Sequence, residues 1–188
     1  MLRAGVVAVC VVGVLVSACT SGTGGEAQPS GALGPPRLSP PITAKQLDVT
    51  AAVANPCGMV TVPSLAPFKV SRPGVLEQTV VGPACNYDPP TIDDPRISIS
   101  VFTRTGGLEG SYQRRASFTR FETGMLRGYP TVNSLQGVQP GVCNISVAVN
   151  DREMINVDFV GLLHRRFYDD PCTPAMQVLS LALQGVGG

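Results

Sequence analysis

Residues 142–160 read VCNISVAVNDREMINVDFV. Apolar side chains occur at every second position of 142–149, which is the period of a strand with one buried face. Asn150-Asp151-Arg152 supplies turn-forming residues, and residues 154–160 form a second strand-like run. The stretch therefore predicts an antiparallel β-hairpin, and the rest of the fold is expected to assemble around it.

Three further stretches are expected to extend this hairpin into a sheet. Residues 84–87 and 96–104 have strand-like patterns, and the alternation is clearest in 96–104. Residues 125–135 contain Tyr129-Pro130, and we place this strand at the edge of the sheet because proline is tolerated there. The prediction is an antiparallel sheet of about five strands.

Two helices are expected beside the sheet. Residues 108–118 follow Gly106-Gly107 and have helical spacing of their apolar residues. The second helix is C-terminal, with Asp170 as its N-cap and Pro171 at its first position. An antiparallel sheet with a mid-chain helix and a C-terminal helix is typical of an α+β fold.

The folded part contains four of the six cysteines of the chain, Cys57, Cys85, Cys143 and Cys172. An even number of cysteines in an exported protein indicates disulfides, and four cysteines allow three pairings. We favour Cys57–Cys85 and Cys143–Cys172 because these pairs close the shortest loops. Since no pair of cysteines or histidines has zinc-ligand spacing, no metal site is expected.

The N-terminus predicts export and lipidation. Residues 1–18 combine Arg3, an apolar run and small residues before Cys19, which is the order of a bacterial lipoprotein signal peptide. Cys19 is then the lipidated first residue of the mature protein, and Cys10 is removed with the signal peptide. The alternatives are a secreted protein cleaved without lipidation and an uncleaved anchor, although the apolar run is short for a membrane span.

Residues 19–41 are rich in Gly, Ser and Pro and contain few large apolar residues. Such a segment buries too little surface to offset its ordering entropy, so we expect a disordered linker after the lipidated cysteine. Residues 42–188 then form a single disulfide-bonded α+β domain.

Neither charge nor motifs indicate an enzyme or a nucleic-acid-binding protein. The net charge is +1, and no phosphate-binding or dinucleotide-binding glycine motif occurs. His164, the only histidine, has no nucleophile motif with it and is expected in a surface loop. Asp93-Asp94 and Asp169-Asp170 precede prolines, so turn formation and helix capping explain them. We expect no catalytic residues and no cofactor.

Five arginines lie in the middle of the chain, and they are candidates for contact with anionic lipid headgroups or envelope glycans. The simpler interpretation is a solvated helix face. The residues are Arg104, Arg114, Arg115, Arg120 and Arg127.

The four cysteines and the stretch between the second and the third have distinctive sequence contexts, which are Asn55-Pro56-Cys57, Cys85-Asn86-Tyr87, Gly128-Tyr129-Pro130-Thr131-Val132, Cys143-Asn144-Ile145-Ser146-Val147 and Asp170-Pro171-Cys172. These contexts resemble those of an uncharacterised domain family of actinobacterial envelope lipoproteins, the LprB/LprC-like proteins. The resemblance implies an envelope location and a small α+β domain, akin to the PsbP/Mog1 type, but no reaction.

Three functional hypotheses follow. The first is a lipid-anchored binding or accessory module on the outer face of the cytoplasmic membrane, contacting an envelope protein or a lipid or glycan ligand. The second is a lipid or small-ligand carrier whose apolar cavity is lined by residues such as Ile99, Val101, Val147 and Leu179. The third is a hydrolase that uses His164.

Overall fold

The computed structural model describes residues 36–161 and 165–187. The strands are β1 (Val75–Gln78), β2 (Pro83–Tyr87), β3 (Arg96–Phe102), β4 (Arg120–Leu126), β5 (Tyr129–Leu135), β6 (Val142–Ala148) and β7 (Met154–Val160). The helices are α1 (Thr50–Ala54), α2 (Val62–Leu65), α3 (Gly107–Gln113), α4 (Arg165–Asp169) and α5 (Cys172–Gly187), and 3₁₀ turns cover Pro56–Met59, Ala66–Phe68 and Arg115–Ser117.

The seven strands form one antiparallel sheet in the order β1-β2-β3-β7-β6-β5-β4. The predicted hairpin is its centre: β6 pairs with β7, with Val142 opposite Val160 and Ala148 opposite Met154. The Asn150 side chain closes the turn by accepting the backbone N–H groups of Arg152 and Glu153, both at 2.9 Å. The hairpin prediction is confirmed, and its turn residue provides the local cause.

One face of the sheet, here called the first face, carries the main core. The odd-numbered residues of β3, β6 and β7 lie on this face and pack against α5 and the N-terminal helical turns. Phe159 makes edge-to-face ring contacts with Phe68 and Phe167, with centroids 6.4 and 5.4 Å apart. Aliphatic and aromatic burial on this face is therefore the main source of stability.

The opposite face of the sheet, here called the second face, is covered by α3 through a smaller apolar cluster. Leu108 of α3 packs with Val132, Ala148 and Met154 from three strands. Most of the remaining second-face positions of the central strands carry polar residues, several of which are buried, whereas Phe102, Val142 and Val160 are apolar and partly exposed. The sheet is thus apolar on one side and largely polar under a short helix on the other.

Both disulfides are present in the pairing that we favoured. Cys57–Cys85 joins the 3₁₀ turn Pro56–Met59 to β2, with the two Cα atoms 5.0 Å apart. Cys143–Cys172 joins β6 to the start of α5, with a Cα separation of 5.1 Å. The bridges close loops of similar length and fix helical elements to the first face.

The predicted count of about five strands is wrong, because the sheet has seven. The two strands that the pattern did not predict, β1 and β4, are the edge strands, and nearly all their side chains are exposed or partly exposed. An edge strand without a buried side has no alternation of apolar residues to detect.

The expected edge position of Tyr129-Pro130 is also wrong, because β5 lies between β4 and β6. Its pairing with β6 covers Thr131, Val132 and Asn133 only. Pro130 is not paired with β6, so its lack of a backbone N–H removes no hydrogen bond between these two strands.

Two boundaries differ from those expected. The compact unit begins at Pro36, before the expected start at Ile42. The mid-chain helix ends at Gln113 and is followed by the 3₁₀ turn Arg115–Ser117, whereas helical spacing predicted a helix to residue 118.

Candidate functional site

The second face of the sheet contains an open cleft of about 400 Å³, which we call the polar cleft. Its floor is formed by β6 and β7, one wall by Phe102 of β3, and its roof by α3 and the residues that follow it. The lining residues are Val81, Phe102, Thr105, Ser111, Arg114, Phe118, Ser134, Leu135, Gln136, Gln139, Val142, Asn144, Ser146, Met154 and Asp158.

The floor of the polar cleft carries a chain of hydrogen bonds across β6 and β7. Ser146 Oγ donates to Asn156 Oδ1 at 2.8 Å, and Asn156 Nδ2 donates to Asp158 Oδ2 at 2.9 Å. Asn144 Nδ2 donates to Asp158 Oδ1. The register explains this arrangement, because Asn144 lies opposite Asp158 and Ser146 lies opposite Asn156.

Asp158 is the central group of this chain. Burial raises the pKa of its carboxyl group above the ordinary value, and the hydrogen bonds from Asn144 and Asn156 oppose that shift. None of the ion pairs among the described residues involves Asp158. Neutral amide donors are therefore the only partners of its negative charge, which is a costly arrangement for a largely buried carboxylate.

The charge of Asp158 also fixes the orientations of the neighbouring side chains. Both asparagines turn their NH₂ groups to the carboxylate, so Asn156 Oδ1 is left to accept the Ser146 hydroxyl hydrogen. Asn144 Oδ1 has no hydrogen-bond partner among the described residues and lies in a residue that lines the cleft. The floor consequently presents mainly acceptors to the cleft.

The walls and rim have a different character. Phe102 and Phe118 are partly exposed aromatic side chains that line the cleft. The hydroxyl oxygen of Thr105 is buried without a hydrogen-bond partner within the described part of the chain. Arg114, at the C-terminal end of α3, is exposed and has no ion pair there. The cleft thus combines an acceptor-rich floor with aromatic walls and one cation.

A second cleft, of about 670 Å³, lies at the end of the sheet that holds the 136–141 loop. Three of its charged groups, Arg120, Glu122 and Asp170, already have structural partners. Asp170 accepts the backbone N–H of Thr173 at 3.1 Å as the α5 cap, and Arg120 pairs with Glu122 at 3.9 Å. Much of its lining is the exposed loop 137–140. The polar cleft is the better candidate because rigid strands position its functional groups.

A model of the family described as "Protein of unknown function (DUF3558)" matches residues 14–185. The chain belongs to this family. No curated protein and no solved structure matches it. The DUF3558 match covers almost the whole chain, including the segment around Cys19 and every residue of the polar cleft.

The structure describes some of the candidate residues predicted from the sequence of this DUF3558 domain and not others. Cys19 and His164 lie outside the described residues. Asp94 accepts the Thr91 hydroxyl at 2.8 Å within a turn, and Asp170 caps α5, so one carboxylate of each pair has the expected structural role. In the part that the structure describes, no group of three or more His, Cys, Asp or Glu side chains is arranged to hold a metal ion.

The five arginines of the DUF3558 domain do not form one patch. Arg120 and Arg127 lie at opposite ends of β4, which puts them on the order of 20 Å apart. The Arg115 guanidinium lies over the Phe121 ring, 5.2 Å from its centroid. Of the five, only Arg114 lines the polar cleft.

The residues expected to line an apolar cavity are packed instead. Ile99, Val101, Val147 and Leu179 are each fully buried in the main core. None of them lines the polar cleft or the larger end cleft. Among the described residues, no helix is both long enough and apolar enough to cross a membrane.

Sequence reasoning missed the floor of the polar cleft. Asn144 and Ser146 were placed opposite the apolar side of their strand, and no role was predicted for Asn156 or Asp158. The predicted mid-chain helix could have indicated this floor. A single sheet has two faces, and with two separate helices each face can be covered by one of them. When a helix covers the second face, the polar residues of that face become shielded from solvent and hydrogen-bond to one another.

Proposed function

We propose that the chain is a lipid-anchored envelope lipoprotein whose folded domain is a binding module. In this proposal Cys19 carries the lipid and the domain lies on the outer face of the cytoplasmic membrane. The signal-like order of residues 1–19 supports the anchor, and the family match begins at residue 14, so the segment around Cys19 belongs to the shared sequence. We also propose that the finer kinship is LprB/LprC-like, with a PsbP/Mog1-like fold.

The observation that carries the binding role is the hydrogen-bonded floor of the polar cleft. Buried polar side chains that are fixed in orientation before a ligand arrives lower the entropic cost of binding. The carboxylate of Asp158 is held without a counter-charge, an arrangement that costs stability and is typical of functional sites.

The same geometry favours binding over catalysis. The hydroxyl hydrogen of Ser146 is donated to a side-chain amide oxygen, which is not a base. The Asp158 carboxylate is occupied by two amide donors. The floor can orient a ligand, but it does not activate a nucleophile. We therefore propose a module without enzymatic activity of its own.

The carrier hypothesis requires an apolar cavity, and no observation favours it over the polar cleft. A ligand in the polar cleft meets hydrogen-bonding groups on the floor and aromatic rings only on the walls. This arrangement suits a polar molecule better than an acyl chain.

The anchor is tested by metabolic labelling with a radioactive fatty acid in an actinobacterial host. Wild-type chain is expected to carry the label and to sediment with membranes, and Cys19→Ala is expected to lose both properties. Cys10→Ala is the matched control and should keep both. An unlabelled wild-type chain would contradict the anchor.

The binding surface is tested with a photo-crosslinking amino acid introduced in cells. Placed at Gln136 on the rim of the polar cleft, it is expected to give adducts that appear as a defined mass increase of the chain. The control position is Gln177, an exposed residue of α5 on the other side of the sheet. Equal adduct yields at the two positions would contradict a binding role for the cleft.

A further inference from the structure

The hydrogen-bond balance of the polar cleft indicates what kind of group its floor accepts. The hydrogens of the hydrogen bonds along the floor point inward, from Ser146 to Asn156 and from both asparagines to Asp158. The remaining lone pairs of the Asp158 carboxylate, Asn144 Oδ1 and Ser146 Oγ are acceptors. A ligand group that is rich in donors and lacks acceptors complements this floor best, and an ammonium group has three donors and no acceptor.

Charge points to the same group. The Asp158 carboxylate has only neutral donors as partners, so its charge is uncompensated where it is buried. A cation bound against it would supply the missing counter-charge in a partly desolvated site, where such a pair is worth more than at the surface. The ring of Phe102 or Phe118 on the wall offers a face for the same cation.

The rim has the opposite polarity. Arg114 lines the same cleft, is exposed and makes no ion pair with any described residue. Its guanidinium has the planar, multi-donor geometry that binds a carboxylate. If the ammonium group of a ligand lies on the floor, the Arg114 guanidinium at the mouth of the cleft can bind an anionic group of the same ligand.

We infer that the polar cleft binds a small zwitterion of the amino-acid or dipeptide kind, with its ammonium group at Asp158 and its carboxylate at Arg114. The inference rests on the proposed function, since it names the ligand class of the same cleft. A volume of about 400 Å³ lies within the range of small-molecule sites and suits a molecule of this size. Because Asp158 and Arg114 carry opposite charges, each binds a different end of the ligand, and this fixes the orientation of the ligand.

The test uses the full chain in detergent with three matched probes and isothermal titration. The probes are glycyl-phenylalanine, its N-acetyl form, which lacks the cation, and its C-terminal amide, which lacks the anion. Glycyl-phenylalanine is expected to bind, and each modified form is expected to bind at least about tenfold more weakly, since each loses one charged contact.

Two variants assign the contacts. Asp158→Asn is expected to weaken glycyl-phenylalanine by at least about tenfold and to abolish the effect of N-acetylation. Arg114→Gln is expected to abolish the effect of C-terminal amidation. Asp93→Asn and Arg104→Gln change exposed charges that do not line the cleft and should leave all three affinities unchanged.

The outcomes separate the inference from the proposed function. If Asp158→Asn fails to fold, the three probes against wild type and Arg114→Gln still decide the question. Equal binding of the free and N-acetylated peptides, or no binding of any probe, overturns the zwitterion. In either case crosslinking at Gln136 decides separately whether the cleft is a binding surface, and the absence of adducts there overturns the proposed function itself.

Discussion

Among single residues, Asp158 has an environment that makes stability depend on pH, because burial raises the pKa of its carboxyl group. Its carboxylate is held in a largely buried position on the second face by two neutral amides. A carboxyl group whose pKa is raised on folding contributes stability that is fully present below the pKa of the unfolded chain. That stability is lost as the pH rises through the folded-state pKa.

The variant Asp158→Asn is expected to remove this pH-dependent loss. The free energy of unfolding of wild type should fall relative to the variant as the pH rises from about 3.5 to neutrality, because only wild type then bears a buried charge. Urea unfolding across this range measures the difference, and Asp93→Asn on an exposed loop serves as the control. A difference that does not change with pH would show that the burial of Asp158 costs nothing.

Individual residues were predicted well where the cause is local and poorly where it is tertiary. The cap at Asp170 and the turn at Asn150 could be predicted because their hydrogen bonds join residues at most three positions apart. The network at Asn144 and Asp158 could not, because it depends on the register of two strands and on a helix above them.

At the scale of elements, α5 is positioned by close contact as well as by apolar packing. Gly185 lies where α5 passes the backbone of the 3₁₀ turn Pro56–Met59, and a Cβ atom there would overlap the carbonyl oxygen of Met59. Gly187, one half-turn further, would place a Cβ in ordinary contact with Leu47, 3.5 Å from its Cδ2 atom. The two glycines therefore have different roles although both lie in the same helix.

The substitution Gly185→Ala is expected to destabilise the protein by about 1–3 kcal/mol, since the helix or the turn must move to admit the methyl group. Gly187→Ala is the matched control and should change stability by less than about 0.5 kcal/mol. Thermal unfolding monitored by circular dichroism compares the two. Similar losses of stability for both variants would contradict the claim that Gly185 is needed for the close approach of α5 to Met59.

The interior elements could be predicted from the sequence, whereas the edges of the sheet could not. β3, β6 and β7 alternate apolar and polar residues because one face is sealed by α5. In β1, Val75 is 63% exposed and Leu76 is 50% exposed. Because neither side of this strand is buried, its sequence shows no alternation of apolar and polar residues. Its place in the sheet is set by pairing with β2, which no single-strand pattern reveals.

Across the whole molecule, the two disulfides attach both helical layers of the first face to the sheet. Cys57–Cys85 fixes the N-terminal turns and Cys143–Cys172 fixes the start of α5. With sequence separations of 28 and 29 residues, the two bridges restrict the unfolded chain to a similar degree.

Replacing either pair by alanine is therefore expected to cost about 3–4 kcal/mol of unfolding free energy. Urea titrations of the double variants Cys57→Ala/Cys85→Ala and Cys143→Ala/Cys172→Ala measure the losses. Adding reductant should destabilise wild type by more than either double variant, because wild type loses two bridges. No effect of reductant on wild type would contradict the presence of the bridges in solution.

The N-terminal segment 36–49 reaches several distant parts of the domain. Glu109 of α3 accepts the backbone N–H groups of Leu38 and Ser39, and Arg37 pairs with Asp151 at 2.9 Å. The pKa of Glu109 is lowered, first by the Ser39 N–H, so the stability from this contact is present above the unfolded-state pKa. It is lost as the pH falls through the folded-state value.

Glu109→Ala is expected to release this segment with a loss of about 1 kcal/mol or less of global stability, since the contact is at the surface. Hydrogen exchange should show faster exchange of the Ser39 amide at neutral pH, with no change in the core strands. Glu77→Ala on β1 is the control. Unchanged exchange at Ser39 would contradict a holding role for Glu109.

The contact between Glu109 and Ser39 also has a mechanical consequence. A pull on the chain at Pro36 is carried first by the bonds of Arg37, Leu38 and Ser39, and these end on Asp151 and on α3. Because α3 roofs the polar cleft, the load on Glu109 reaches the cleft, and the load on Asp151 reaches the turn between β6 and β7. Tension on the N-terminal segment would thus act on the roof of the polar cleft and on the central hairpin at the same time.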